Sequence, residues 1–175
     1  MNRKEWFKRK FNQTLDPETL PNILELLSGT PARVEEKIRS IDAVYYYLKL
    51  EDKWSIKDNI GHLSDLEPLW MSRIEDLVDK REILTEADLS NQKTHQANHN
   101  QRSIKELLDE FRGLRGQHLA KLSALNSADL EKFSLHPRLN TPMRMIDLAF
   151  FVAEHDDHHL AQISFIAKQQ SRSLL

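Results

Sequence analysis

Cysteine is absent from the 175 residues. That excludes disulfides, iron–sulfur clusters, thiolate zinc sites and a cysteine nucleophile, and leaves nitrogen and oxygen as ligands for any transition metal. Turn formers are scarce. Four glycines and six prolines are about half of average usage, too little punctuation for a β sandwich or barrel. Charge of one sign is missing too: 25 Lys+Arg against 27 Asp+Glu give a formal net of −2. No positive field is available to hold a phosphate backbone, so no nucleic-acid partner is expected. The longest purely apolar run, Leu148 to Ala153, falls far short of the ~20 residues that span a bilayer. The basic N-terminus, MNRKEWFKRKFN, has no apolar stretch behind it and is not a secretory signal. The expectation is one soluble, cytoplasmic, helical domain over residues 1–175, with no membrane partner and a core of useful size.

Helical periodicity fills most of the chain. Asp16-Pro17 reads as the N-cap and first-turn proline of a short helix that Gly29 ends. Thr30-Pro31 repeats the device, and Val34, Ile38, Ile41, Tyr45 and Leu48 predict a first long helix over about 31–50. Ser55-Ile-Lys-Asp58 is a capping-box pattern opening a second, striped by Ile56, Ile60, Leu63, Leu66, Trp70, Ile74 and Leu77. Ser103-Ile-Lys-Glu106 opens a third through Leu107, Phe111, Leu114 and Leu122. Thr141-Pro142 opens the fourth, which runs to about Lys168. A link of about four residues makes the first two helices antiparallel neighbours. The polar stretch from Asp79 to Arg102 is long enough to cross over, so the second and third helices can run the same way. An all-α four-helix bundle with one crossover, plus a short N-terminal helix, is the economical architecture.

Eight histidines stand out by placement. His155 and His159 are one turn apart in the middle of the apolar stripe of the fourth helix, so both rings can offer a nitrogen to one ion at ~2.0–2.1 Å. Buried imidazoles need a partner, which favours a metal over two structural histidines. His62 lies inside the buried arc of the second helix, seven residues after Ser55 and so about 10 Å along it. His155 and His159 precede Lys168 by 13 and 9 residues, about 20 and 14 Å. Antiparallel packing brings the three rings to neighbouring levels. His118 is expected to be a hydrogen-bonded core residue rather than a fourth ligand. His158 reads as structural or interfacial. His95, His99 and His136 read as solvated, although a loop histidine could cover the site. Asp58 and Asp65 flank His62 and Asp156 follows His155, as candidate general bases. On the helical wheel Asp58 and Asp65 lean away from the core, Asp58 as a cap and Asp65 as surface charge. Glu67 and Arg115 both project into apolar arcs, each 12 residues after its N-cap. They either pair across parallel helices or snorkel to solvent.

Trp54-Ser-Ile-Lys-Asp-Asn-Ile-Gly-His62-Leu-Ser-Asp65 and Glu154-His155-Asp-Asp-His158-His159-Leu-Ala-Gln162-Ile163 resemble the DinB/YfiT-like superfamily of metal-binding four-helix bundles. Phe111-Arg-Gly-Leu-Arg115 and the stretch from Leu130 to His136-Pro137 extend the likeness, in order, over nearly the whole chain. The resemblance implies an up-down-down-up bundle and a metal triad of His62, His155 and His159. It also implies thiol-dependent transferase or isomerase chemistry in some members. Three neutral histidines leave open positions on one divalent ion, zinc or nickel by ligand type, where water or a thiol is activated. One expectation is therefore a metal-dependent hydrolase or S-transferase acting on a small electrophile, with a low-molecular-weight thiol as cosubstrate. The other is a non-enzymatic stress-response or ligand-binding module whose metal holds a ligand or the bundle. Phe150, Phe151 and Phe165, beyond one stripe on the fourth helix, point to a homodimer.

Overall fold

The computed structural model describes residues 4–11, 14–50 and 53–172. Its helices are α1 (Leu20–Arg39), α2 (Ile56–Val78), α3 (Gln92–Gln96), α4 (Ile104–Ser123), α5 (Ser127–Leu130) and α6 (Met145–Arg172). Strands β1 (Phe133–His136) and β2 (Thr141–Arg144) form one antiparallel hairpin. Both capping boxes form as written. Ser55 Oγ accepts from the Asp58 amide and Asp58 accepts from the Ser55 amide, and Ser103 and Glu106 do the same at α4. Each satisfies two amides that the first turn leaves unbonded.

Three helix boundaries differ from expectation: the break at Gly29, the end of the first long helix near residue 50 and the start of the fourth at Thr141-Pro142. The short N-terminal helical turn Pro17–Thr19, capped by Asp16, leads directly into α1. Gly29 does not end it, and the helix continues through Pro31 to Arg39. A proline inside a helix frees the carbonyl four residues before it. Here that carbonyl is Leu27 O, and Arg115 Nη1 donates to it at 3.1 Å. Tertiary structure supplies the bond that the local sequence removes. The link to α2 then runs from Ser40 to Ser55, with Asp42 capping a 3-10 turn at Ala43–Tyr45. It is far longer than the four residues expected, so α1 and α2 need not be neighbours. Both pack on α4 and α6 and sit at opposite corners.

The fourth long helix begins at Met145, not at Thr141-Pro142, which lie in β2 opposite His136 and Leu135. A residue before proline is driven to extended conformations, and an edge strand tolerates the missing N–H. The same dipeptide that reads as a helix start therefore also suits a strand. On its other side the hairpin meets the crossover link: Leu135 donates to Glu82 O at 2.8 Å and accepts from Leu84 at 3.0 Å.

Cross-helix bonds fix the directions. Lys57 reaches Arg102 O at the start of α2 and α4, Arg115 reaches Glu67 midway, and Lys121 reaches Glu75 near the end, so α2 and α4 are parallel. Arg33 with Asp157 and Lys37 with Ser164 make α1 and α6 parallel. Arg112 with Glu35 and Asn59 with His159 set the two antiparallel contacts. The result is an up-down-down-up bundle.

Its core is split. Val34, Ile38, Ile60, Leu107, Phe111 and Ile163 fill one end, and Leu27, Trp70, Leu77, Met145, Phe151 and Val152 fill the other. Between them lies a buried charged layer. Arg115 donates through Nε to Glu67 Oε1 at 2.7 Å, and through Nη1 and Nη2 to the two Asp156 oxygens at 2.5 and 3.0 Å. His118 Nδ1 sits 2.8 Å from Glu67 Oε2. All four side chains are 1 % exposed or less. The Glu67–Arg115 pairing weighed from the sequence is present, and Asp156 joins it. Burial acts against each charge, but His118 and Arg115 hold the Glu67 carboxyl below its usual range.

The three phenylalanines expected beyond one stripe of the fourth helix divide. Phe151 is buried against Trp6, Phe11 and Trp70, Phe150 is partly buried against the core, and Phe165 is exposed.

Removing Arg115 strands two buried carboxylates, whereas removing Glu67 leaves Arg115 still paired with Asp156. Arg115→Met is expected to lose about 3–5 kcal/mol and Glu67→Gln clearly less. Urea denaturation that gives the reverse order, or under about 1 kcal/mol for Arg115→Met, would refute this account.

Candidate metal centre

α6 carries His155 and His159 on successive turns, and α2 lays His62 against them from the antiparallel direction. One nitrogen from each ring lies within 4.8 Å of the other two. The Nε2 atoms of His155 and His159 are 3.3 Å apart. All three residues are buried, at 3 to 5 % exposure.

The far nitrogens show which way two of the rings are polarised. Thr94 donates its hydroxyl hydrogen to Asp65 Oδ2 at 2.8 Å, so its oxygen accepts from His62 Nδ1 at 2.9 Å. Asn59 donates through Nδ2 to Ser55 O at 2.8 Å, which leaves its Oδ1 to accept from His159 Nδ1 at 2.9 Å. Both rings then carry their proton on Nδ1 and aim a bare Nε2 inward, the polarity that a metal ligand requires. Among the described residues, His155 Nδ1 is buried without a hydrogen-bond partner. Its ring is held edge-on by Trp6 at 5.1 Å and Trp70 at 5.5 Å.

Burial depresses His62 to about 4 and His155 well below the normal histidine range, with neighbouring histidines adding to both shifts. His62 and His155 are neutral near pH 7. With no acceptor at Nδ1 among the described residues, neutral His155 donates through Nε2 to the bare Nε2 of His159, and a cation binding there takes the place of that proton. The donor set fits a divalent transition ion.

A cavity of about 490 Å³ opens on these rings, walled by Trp6, Trp54, Leu66, Trp70 and Phe151. Trp54 packs on His62 at 4.5 Å and stacks with His159 at 6.0 Å. The N-terminal 3-10 turn Trp6–Lys8 lies over one side, tied down by an Arg9–Glu154 ion pair and by Phe11 on Phe151.

The other expected positions sort differently. His118 bonds Glu67 as a core histidine and stays out of the cluster. His158 lines the cavity, its ring 5.2 Å from that of His159. His95 is exposed beside Trp54. His99 and His136, expected in solvent, are both 2 % exposed. The polar links that carry them fold back onto α2, where Asp65 takes His99 Nε2 at 2.8 Å. Asp65 is therefore no surface charge: its side chain is 8 % exposed and receives Thr94 and His99 together. Asp58 is the cap, also bonded by Asn100 and Lys49. Asp156 is committed to Arg115, and among the described residues the metal-holding group contains no carboxylate.

Asn59, Thr94 and the three tryptophans had no site role in the sequence reading. Asn59 was within reach, since it precedes His62 by three residues on the same helix face. Gly61 was a second signal. A glycine inside a helix invites a packing reason, and a Cβ there would sit 2.3 Å from the His99 ring. Thr94 and Trp6 had no sequence signal, because each arrives from a distant segment.

This bundle with a histidine cluster at its centre belongs to a known class. Residues 26–163 match the family model of the DinB superfamily, and the chain belongs to that family. Among solved structures it is similar to YfiT from Bacillus subtilis, at a TM-score of 0.78 and 15 % identity, over 91 % of this chain and 92 % of that one. YfiT is described as "a probable metal-dependent hydrolase with an unusual four-helix bundle topology". At this identity the likeness is one of fold. No curated protein matches the chain. Among the described residues no helix is long and apolar enough to cross a membrane.

Burial of neutral histidines has a pH consequence. His62 is lowered to about 4, and His136, buried beside Arg73 and Arg138, to about 3. In the unfolded chain both take up protons below about 6.5, while the folded chain does not. Stability without metal is therefore full above about pH 6.5 and falls as pH drops toward 4. Each ring contributes a slope of up to about 1.4 kcal/mol per pH unit. Chemical denaturation in chelator at pH 7, 6 and 5 checks this, and unchanged stability across the series would contradict it.

Proposed function

We propose that the protein is a divalent-metal-dependent enzyme acting on a small molecule, with His62, His155 and His159 as the ligands and residues 1–175 as one domain. The observation that carries the reading is the convergence of three buried imidazole nitrogens within 4.8 Å on the floor of an open cavity. A transition ion bound there supplies Lewis acidity and lowers the pKa of a water or thiol that joins it. The remaining chemistry belongs to the chain. Thr94 and Asn59 orient two ligands, the tryptophans exclude bulk water, and the cavity leaves room for a substrate beside the histidines.

That room favours an enzyme over a module with a purely structural metal, since structural sites are closed by protein ligands on all sides. Hydrolysis or thiol S-transfer on a small electrophile both suit the site. The description of YfiT supports the hydrolase side. The chain has no cysteine, so a thiol would come as a low-molecular-weight cosubstrate. Zinc or nickel suits an all-imidazole donor set. We also propose a homodimer, resting on exposed Phe165. Light scattering that gives a one-chain mass at micromolar concentration would rule the dimer out.

Purified protein is expected to carry about one zinc or nickel ion per chain, and His155→Ala or His159→Ala to lose it. Thr94→Val is expected to weaken metal binding about 10–100-fold by releasing His62 from its orientation. Metal analysis with and without added zinc checks all three variants. Protein that takes up no metal, with thermal stability indifferent to it, would sink the site. A panel of small esters, amides and electrophiles, assayed with and without low-molecular-weight thiols, then separates hydrolysis from S-transfer.

A further inference from the structure

Away from the histidine cluster, the cavity ends in a corner built by Arg73, His136 and Arg138. Trp70 joins the two regions: its ring centroid lies 5.5 Å from the His155 ring and 5.4 Å from Arg73 Cζ. Arg73 is 1 % exposed. Its Nε donates to Thr85 O at 2.9 Å, and its Nη1 lies 3.3 Å from His136 Nε2.

That last contact has the wrong polarity to be a hydrogen bond. The backbone amides of Arg138 and Leu139 both point at His136 Nδ1, at 3.2 Å each. Nδ1 is therefore the accepting nitrogen, and a neutral His136 carries its hydrogen on Nε2. A guanidinium has donors only. Two donors thus face each other, and neither accepts. Arg138 adds a third: among the described residues its Nη2 is buried with no partner, while Nη1 reaches the Phe7 carbonyl only at 3.5 Å.

The Asp76 carboxylate favours the Arg73 charge from a distance but does not outweigh its burial. Among the described residues no acidic side chain is at ion-pair distance from Arg73 or Arg138. Asp76 itself is taken by Arg81 and the Thr85 amide. Of the two carboxylates that line the cavity, Asp88 is taken by Ser90 and Gln92, and Glu86 is exposed. Buried cations without counter-ions are costly, and buried donors are nearly always satisfied. The missing partner is an acceptor that carries negative charge.

We propose that Arg73, His136 and Arg138 form an anion-binding corner of the cavity, and that the molecule the cavity takes is a small organic acid with an apolar body. The corner grips the anionic group, most strongly through guanidinium forks that match a carboxylate or a phosphate. The walls of Trp6, Trp70 and Phe151 cover the apolar part. This deepens the proposal of a small-molecule site by naming the substrate class. It rests on the cavity and not on the metal.

The test uses the full chain and tryptophan fluorescence, with phenylacetate as probe, phenylacetamide as its neutral isostere and inorganic phosphate as competitor. Phenylacetate is expected to bind saturably and at least tenfold more tightly than the amide. Arg73→Gln and Arg138→Gln are each expected to weaken the acid at least fivefold and leave the amide unchanged. Arg138 is only partly buried, so its variant keeps the test intact if Arg73→Gln does not fold. Competition by phosphate would support a corner open to phosphate esters, and its failure one reserved for carboxylates. In the His155→Ala variant acid binding is expected to persist, so a chain without metal leaves this inference standing. Equal binding of acid and amide would overturn it. So would acid binding that survives both arginine substitutions but disappears with His155.

Discussion

The fold turns on one guanidinium. Arg115 donates to Glu67 on α2, to Asp156 on α6 and to the Leu27 carbonyl on α1, so a side chain from α4 binds all three other long helices at one level. The apolar residues on either side of that level define no unique sliding position, because one stripe of leucine and isoleucine packs against another in several registers. A buried charge does. Any shift or rotation that separates these groups leaves an ion unpaired in the core, which costs far more than a repacked methyl group. The value of the layer lies less in net stability than in the single arrangement it permits.

Two features elsewhere depend on that arrangement. Pro31 can lie inside α1 because Arg115 accepts responsibility for the carbonyl that the proline abandons. The histidines depend on it through geometry. Asp156 and His155 are adjacent on α6, so holding the Asp156 carboxylate toward the bundle centre fixes the rotation of the helix. That rotation turns His155 and His159 toward His62. From the α2 side, the crossover link contributes Thr94 and His99, which gather on Asp65 and orient His62. Both halves of the cluster are aimed by groups that do not belong to it.

The cavity combines two opposite electrostatic solutions. At the histidines, burial suppresses protonation and yields neutral donors suited to a cation. At Arg73 and Arg138 the cations persist in burial, since a guanidinium holds its proton far more tightly than an imidazole. His136 between them is neutral for the same reason as the triad, with burial first and the arginines second. An apolar wall separates the two regions, so one bound molecule can meet both.

Much of this could be read along the chain. The two capping boxes, the apolar stripes of α2 and α4 and the i, i+4 spacing of His155 and His159 are local patterns. Local patterns are set by backbone hydrogen bonding and helical period, which nearby residues control. The expected level of His62 followed from the rise per residue alone, and the level placement of Glu67 and Arg115 did too. Other outcomes lay beyond local reading. Thr30-Pro31 and Thr141-Pro142 look alike, yet one sits within a helix and the other in a strand, because Arg115 meets the first and the hairpin with β1 takes the second. His99 and His136 sit in polar links that appear destined for solvent, but those links fold onto α2 and bury them. Asp156 looked like a neighbour of a ligand and is instead the counter-ion of Arg115. The sequence determined the helices, their caps and the residues able to form a metal centre. Tertiary structure decided which polar groups would share the interior, since a buried charge is settled by partners that come from distant parts of the chain.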